Sequence, residues 1–78
     1  MVRMKLNVLL NKYRLSQREL SLNTGIRFDT INKYTNNNYK YISNEHLNIL
    51  CKYFNCAIAD IIEYIEDNPW RLDINNSI

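Results

Sequence analysis

The chain's one glycine, Gly25, stands between two short helical patterns, and that junction constrains the fold more than any other feature. Ahead of it, Ser16 and Glu19 form the capping box S-x-x-E. In that box a hydroxyl and a carboxylate satisfy orphan backbone N–H groups at a helix start. Leu15 before the cap and Leu20 at the fourth helical position suit a hydrophobic staple. Asn23-Thr24-Gly25 then stops the helix, because Gly25 accepts a left-handed backbone that residues with a Cβ avoid. Ile26 follows as a buried apolar residue, and another helix begins near Arg27 or Phe28, with Ile31 and Tyr34 facing inward. Asn36-Asn37-Asn38 ends it, since Asn tolerates left-handed backbone. Two short helices joined by a tight glycine turn make a helix-turn-helix unit.

The flanking segments also read as helical. With one glycine and one proline in 78 residues, hairpins and sandwiches are disfavoured. Val2, Leu6, Leu9, Leu10 and Tyr13 recur at steps of three and four, which predicts a first helix over residues 2–13. Ser43 caps a fourth, where Leu47, Leu50, Cys51 and Phe54 form an i, i+3, i+4, i+7 stripe that Asn55 ends. Ile58, Ile61, Ile62 and Ile65 predict a fifth over about residues 58–66, broken at Asn68-Pro69. The expected fold is therefore all-α: five helices in residues 1–66, and a tail, 67–78, that either docks on the body or pairs with another chain.

Charge separates along this plan. Residues 1–40 hold eight basic and two acidic side chains, a net of +6, whereas residues 41–78 hold two basic and six acidic, a net of −4. A basic half and an acidic half in one small domain suggest that a polyanion faces the first. The polar positions around Ile31 face outward, where a major groove could lie.

The stretch from Leu15-Ser16-Gln17-Arg18-Glu19-Leu20-Ser21 through Gly25-Ile26 and Thr30-Ile31 resembles the lambda-repressor-like, Cro-type family, also called XRE. Ile42-Ser43, Leu47, Leu50-Cys51, Cys56 and Asp60-Ile61-Ile62-Glu63-Tyr64-Ile65 are similar to a small single-domain branch of it. The resemblance spans about residues 3–66. It implies sequence-specific binding of double-stranded DNA by a small transcriptional regulator, a repressor acting at an operator. Phe28, Asp29, Asn32 and Lys33 would lie toward base edges. Gln17, Arg14, Arg18, Arg27, Asn36 and Lys40 would lie toward phosphates. Phe28 can offer only apolar contact, for example to a thymine methyl. Asp29 can accept from a cytosine amino group, or stabilise its own helix start, the favoured reading. Arg14 and Asn37 stand where many relatives have Gly, so both turns are expected at positive φ. Ile58 and Ala59 replace the usual Pro and its small neighbour before the fifth helix.

Other chemistries fit poorly. His46, Cys51 and Cys56 are spaced by five residues, and each such step turns a helix by about 140°, so the three share no face. Zinc wants four ligands, so no metal site is expected, and the cysteines read as small buried thiols. One glycine cannot build a phosphate loop, and a Cys–His pair lacks a cleft and an orienting group, so neither an enzyme nor a cofactor is expected. Tyr39 and Tyr41 flank Lys40, and packing on the loop after the third helix is favoured over single-strand stacking.

No apolar run of about 18 residues is present, and no secretory signal is read, so a cytoplasmic protein without a membrane partner is expected. Two half-sites on an operator imply a homodimer, with Tyr64, Ile65, Trp70, Leu72 and Ile74 as its surface candidates. With no second domain read, a small-molecule effector is not expected. The alternative class is a protein-interaction module, such as an antitoxin or accessory subunit.

Overall fold

Leu6, Leu9 and Leu10 are buried on one face of a short helix, and the other helices follow the same logic. The computed structural model describes residues 1–66. In chain order these form β1 (Val2–Met4), α1 (Leu6–Lys12), α2 (Gln17–Thr24), α3 (Phe28–Thr35), α4 (Asn44–Phe54), a 3₁₀ turn (Ile58–Asp60) and β2 (Ile62–Tyr64). The core gathers Met4, Leu6, Leu20, Ile31, Leu50 and Ile61, all fully buried, with Leu9, Leu10, Ile26, Tyr34 and Phe54 around them.

The capping box forms as expected. Ser16 Oγ accepts from the Glu19 N–H at 3.0 Å, and Glu19 Oε1 accepts from the Ser16 N–H at 3.1 Å. Gly25 caps the far end of α2 at φ 78°, donating its N–H to the Ser21 carbonyl. Ser21 Oγ in turn donates to the Ile26 carbonyl at 2.6 Å, so the small polar residue ties α2 to the turn. A Cβ at Gly25 would meet nothing within 4 Å. The cost of Gly25→Ala is therefore backbone strain alone, about 1 kcal/mol, with a thermal midpoint lowered by about 5 °C. Thermal unfolding followed by circular dichroism checks this, and an unshifted midpoint would show that the turn relaxes without strain.

Two expectations are corrected. The first helix does not start at residue 2, because residues 2–4 form β1. The fifth helix does not form, because only the 3₁₀ turn occupies 58–60 and residues 62–64 form β2. Among the described residues the fold is thus four α-helices with a small sheet, not five helices and not all-α. The strands pair antiparallel, with Val2 opposite Tyr64, Arg3 opposite Glu63 and Met4 opposite Ile62. Lys5 N–H donates to the Ile61 carbonyl at 2.6 Å and Ile65 N–H to the Met1 carbonyl at 2.8 Å, extending the ladder at both ends. The Met1 amino group also meets the Ile65 carbonyl. The physical reason lies in residue type and partnership. Branched isoleucines are stiff at χ1 and fit a pleated surface better than a helix, and each strand supplies the hydrogen bonds the other lacks.

The outer edge of β1 is closed by a side chain. Asn37, at φ 56°, accepts the Met4 N–H on Oδ1 at 2.7 Å and donates Nδ2 to the Met4 carbonyl at 3.2 Å. One amide thus acts as a strand residue and fastens the sheet to the chain just past α3. Arg14 also takes positive φ, 52°, as expected.

Candidate nucleic-acid interface

Ile31 and Tyr34 anchor α3 to the core, and that anchoring decides what faces out. At 100° per residue, Asp29 and Lys33 lie about 160° from Ile31 around the helix, and Asn32 and Asn36 lie about 100–140° away. Lys33 Nζ sits 3.4 Å from Asp29 Oδ2 across one turn, with both side chains more than half exposed. Asp29 lies in the first turn of α3 and Lys33 in the last, each where the helix dipole favours its charge. Phe28, at the start of α3, is 49% exposed.

Gln17 opens α2 directly behind the Ser16 cap. Its Oε1 accepts from Asn32 Nδ2 at 3.0 Å, so the first residue of α2 and the middle of α3 are joined by side chains. Asn36, which caps α3, donates Nδ2 to Asn32 Oδ1 at 3.3 Å. The interface thus brings Gln17, Asn32 and Asn36 into one hydrogen-bonded string, beside the Asp29–Lys33 pair.

Arg14 follows α1, Arg18 sits in the first turn of α2, Arg27 is the N-cap of α3, and Lys40 follows the Asn-rich turn. All four are exposed, and among the described residues no carboxylate pairs with them. Exposed, unneutralised cations on and beside a helix-turn-helix unit attract a polyanion.

Sequence reasoning overlooked two residues here. Leu22 on α2 is 77% exposed and lines a shallow groove with Arg18, Ser21 and Phe28. Its signal was an apolar residue off the buried stripe. Asn37 read only as a turn residue, and its grip on β1 has no local signature.

The other candidates fall where packing decides. Tyr34 is core, and its hydroxyl accepts from the Ser43 N–H at 3.3 Å and lies 2.7 Å from His46 Nδ1. His46 is thereby engaged inside the fold. Burial, then Cys51 and Asp60, push the Cys56 thiol up, with Lys12 opposing. Tyr39 packs edge-on against Tyr34, 5.8 Å between ring centres, and burial pushes its hydroxyl up. Tyr41, expected to pack likewise, is instead 83% exposed, because no described side chain covers it. Tyr64 is exposed and Ile65 half-buried, whereas Trp70, Leu72 and Ile74 lie outside the described residues. Among those residues no helix is long and apolar enough to cross a membrane.

Comparison with known proteins agrees with this geometry. Curated proteins yield no match. A crystal structure of an inferred DNA-binding protein from Bacteroides fragilis superposes with a TM-score of 0.71, covering 81% of this chain and all of that one. At 21% identity, that likeness speaks for the fold alone. The family of Cro/C1-type HTH DNA-binding domains matches residues 5–67, from the last residue before α1 to just past β2. With the match covering the capped α2, the Gly25 turn and the exposed face of α3, the chain belongs to the Cro/C1-type helix-turn-helix DNA-binding family.

Proposed function

We propose that this protein is a small transcriptional repressor that binds an operator in double-stranded DNA, with α3 in the major groove. The observation that carries the reading is the outer face of α3. It presents Phe28, Asp29 and Lys33 to solvent while Ile31 and Tyr34 hold the helix rigidly to the core. Phe28 offers apolar contact to a thymine methyl, and Lys33 offers a donor to guanine. Asp29 stabilises the helix start and orients Lys33. Gln17, Arg14, Arg18, Arg27, Asn36 and Lys40 contact phosphates around this face and set register without reading sequence.

One domain reads few base pairs, so a homodimer spans two half-sites. Among the described residues no strand pairs with the outer edge of β2, which supports a dimer surface there. Ile61, Glu63 and Ile65 lie on the β1 side of the ladder, while the backbone groups of Ile62 and Tyr64 have no partner among the described residues. An unpaired edge is a template for a second strand.

Selection of bound duplexes from a random pool, at low and high salt, tests the reading. The expected result is an enriched palindrome whose half-sites lie about 34–36 Å apart. No enrichment at either salt, from folded protein, would replace this reading with a protein-interaction module of the antitoxin or accessory-subunit kind. Lys33→Ala is expected to relax preference at one position of each half-site, a loss of about 1–3 kcal/mol of discrimination. An unchanged consensus would move Lys33 to the phosphate group of contacts.

A further inference from the structure

We propose that Asn32 does not read a base but positions Gln17, and that Asn36, Asn32 and Gln17 act as one amide relay linking two phosphate contacts. The proposal rests on the DNA-binding reading above and deepens it. Each amide has a donor end and an acceptor end. Asn36 Nδ2 donates to Asn32 Oδ1 at 3.3 Å, and Asn32 Nδ2 donates to Gln17 Oε1 at 3.0 Å. The three dipoles run head to tail, and aligned hydrogen bonds polarise one another.

The chemistry follows from which end is left over. The Gln17 carbonyl oxygen is turned to Asn32, so its Nε2, with two N–H donors, is the end left for a ligand. A phosphate accepts hydrogen bonds and cannot donate them. A Gln17 amide free to rotate presents its carbonyl to the phosphate half the time and loses entropy on binding, whereas one held by Asn32 is already aligned. Gln17 also sits at the start of α2, where the helix favours an anion. Asn32 is half-buried, and both ends of its amide are engaged, so Gln17 and Asn36 already fix its plane and leave only its second N–H and second lone pair for any other partner. The relay therefore couples the seating of α2 on one phosphate to that of α3's end on another. It makes the angle between the helices part of backbone recognition.

A double-mutant cycle on the full chain tests the relay. Affinity for the selected operator and for random duplex is measured for wild type, Gln17→Ala, Asn32→Ala and the double variant, with thermal unfolding of each. Gln17→Ala is expected to weaken both duplexes by about tenfold, the size of a charge-assisted hydrogen bond. Asn32→Ala is expected to weaken both several-fold, leave the preferred sequence unchanged, and cost clearly less in the Gln17→Ala background, where only the Asn36 contact is left to lose. A purely structural Asn32 would lower affinity equally in both backgrounds. Independent losses, or a changed base preference in Asn32→Ala, would overturn the relay while leaving DNA binding intact. A folded wild type that binds no duplex would overturn the DNA-binding reading and the relay's role with it.

Discussion

Ile31→Ala is expected to destabilise the domain by about 2–5 kcal/mol, a large share of what so short a chain possesses. Ile31 is fully buried in the middle of α3, and it belongs to the same core as Leu20 of α2 and Leu50 of α4. Removing three carbons there costs the transfer term and leaves a cavity that neighbours on three helices cannot all close. Because α3 is also the proposed reading helix, DNA binding falls with the folded fraction. Ile31→Val removes one carbon, costs about 0.5–1.5 kcal/mol, and keeps the binding face. Urea denaturation of the two variants separates stability from recognition. A midpoint that Ile31→Ala leaves unmoved would mean that α3 faces the core with another side, and the assignment of Asp29 and Lys33 to the groove would go with it.

The second large effect is expected from salt. Arg14, Arg18, Arg27 and Lys40 are exposed cations without acidic partners among the described residues. A dimer carries two such sets, and displacing a counterion at each of about eight phosphates gives a slope near −7 in log K against log salt. Affinity for the operator should then fall on the order of 10⁴-fold between about 50 and 200 mM salt. Anisotropy titrations at several salt concentrations measure the slope directly. A slope near zero would mean that an apolar surface carries the binding, and the exposed Leu22 and Phe28 would become its first candidates. A slope half as steep would point to one domain engaged rather than two.

The helix-turn-helix was legible because each of its instructions is local. The Ser16–Glu19 box, the left-handed Gly25 and the spacing of Leu20, Ile26 and Ile31 all act within one or two turns, and all appear as read. Arg14 and Asn37 at positive φ were legible for the same reason, since a turn's backbone is a local matter. The outward placement of Phe28, Asp29 and Lys33 around the Ile31 anchor was legible too. The sequence could not show that Asn32 is spent on Gln17, 15 residues away, because side-chain partnership depends on the angle between two helices.

The termini mark the other limit. Val2-Arg3-Met4 fits the start of a helical stripe and also the alternation of a strand, and Ile62-Glu63-Tyr64 is equally ambiguous. Short apolar patterns of this kind carry both periods at once. What the chain determined by itself was therefore the helix-turn-helix and the apolar stripes of its helices, since those follow from neighbours close in sequence, whereas the burial of Met4 and the exposure of Val2, Tyr13 and Ile58 came with the tertiary fold. What only the tertiary structure decided was the sheet, the amide clamp of Asn37 on Met4 and the string from Asn36 to Gln17. Strands of three residues have no stability alone, and each exists because the fold delivers a partner about 60 residues away to satisfy its backbone.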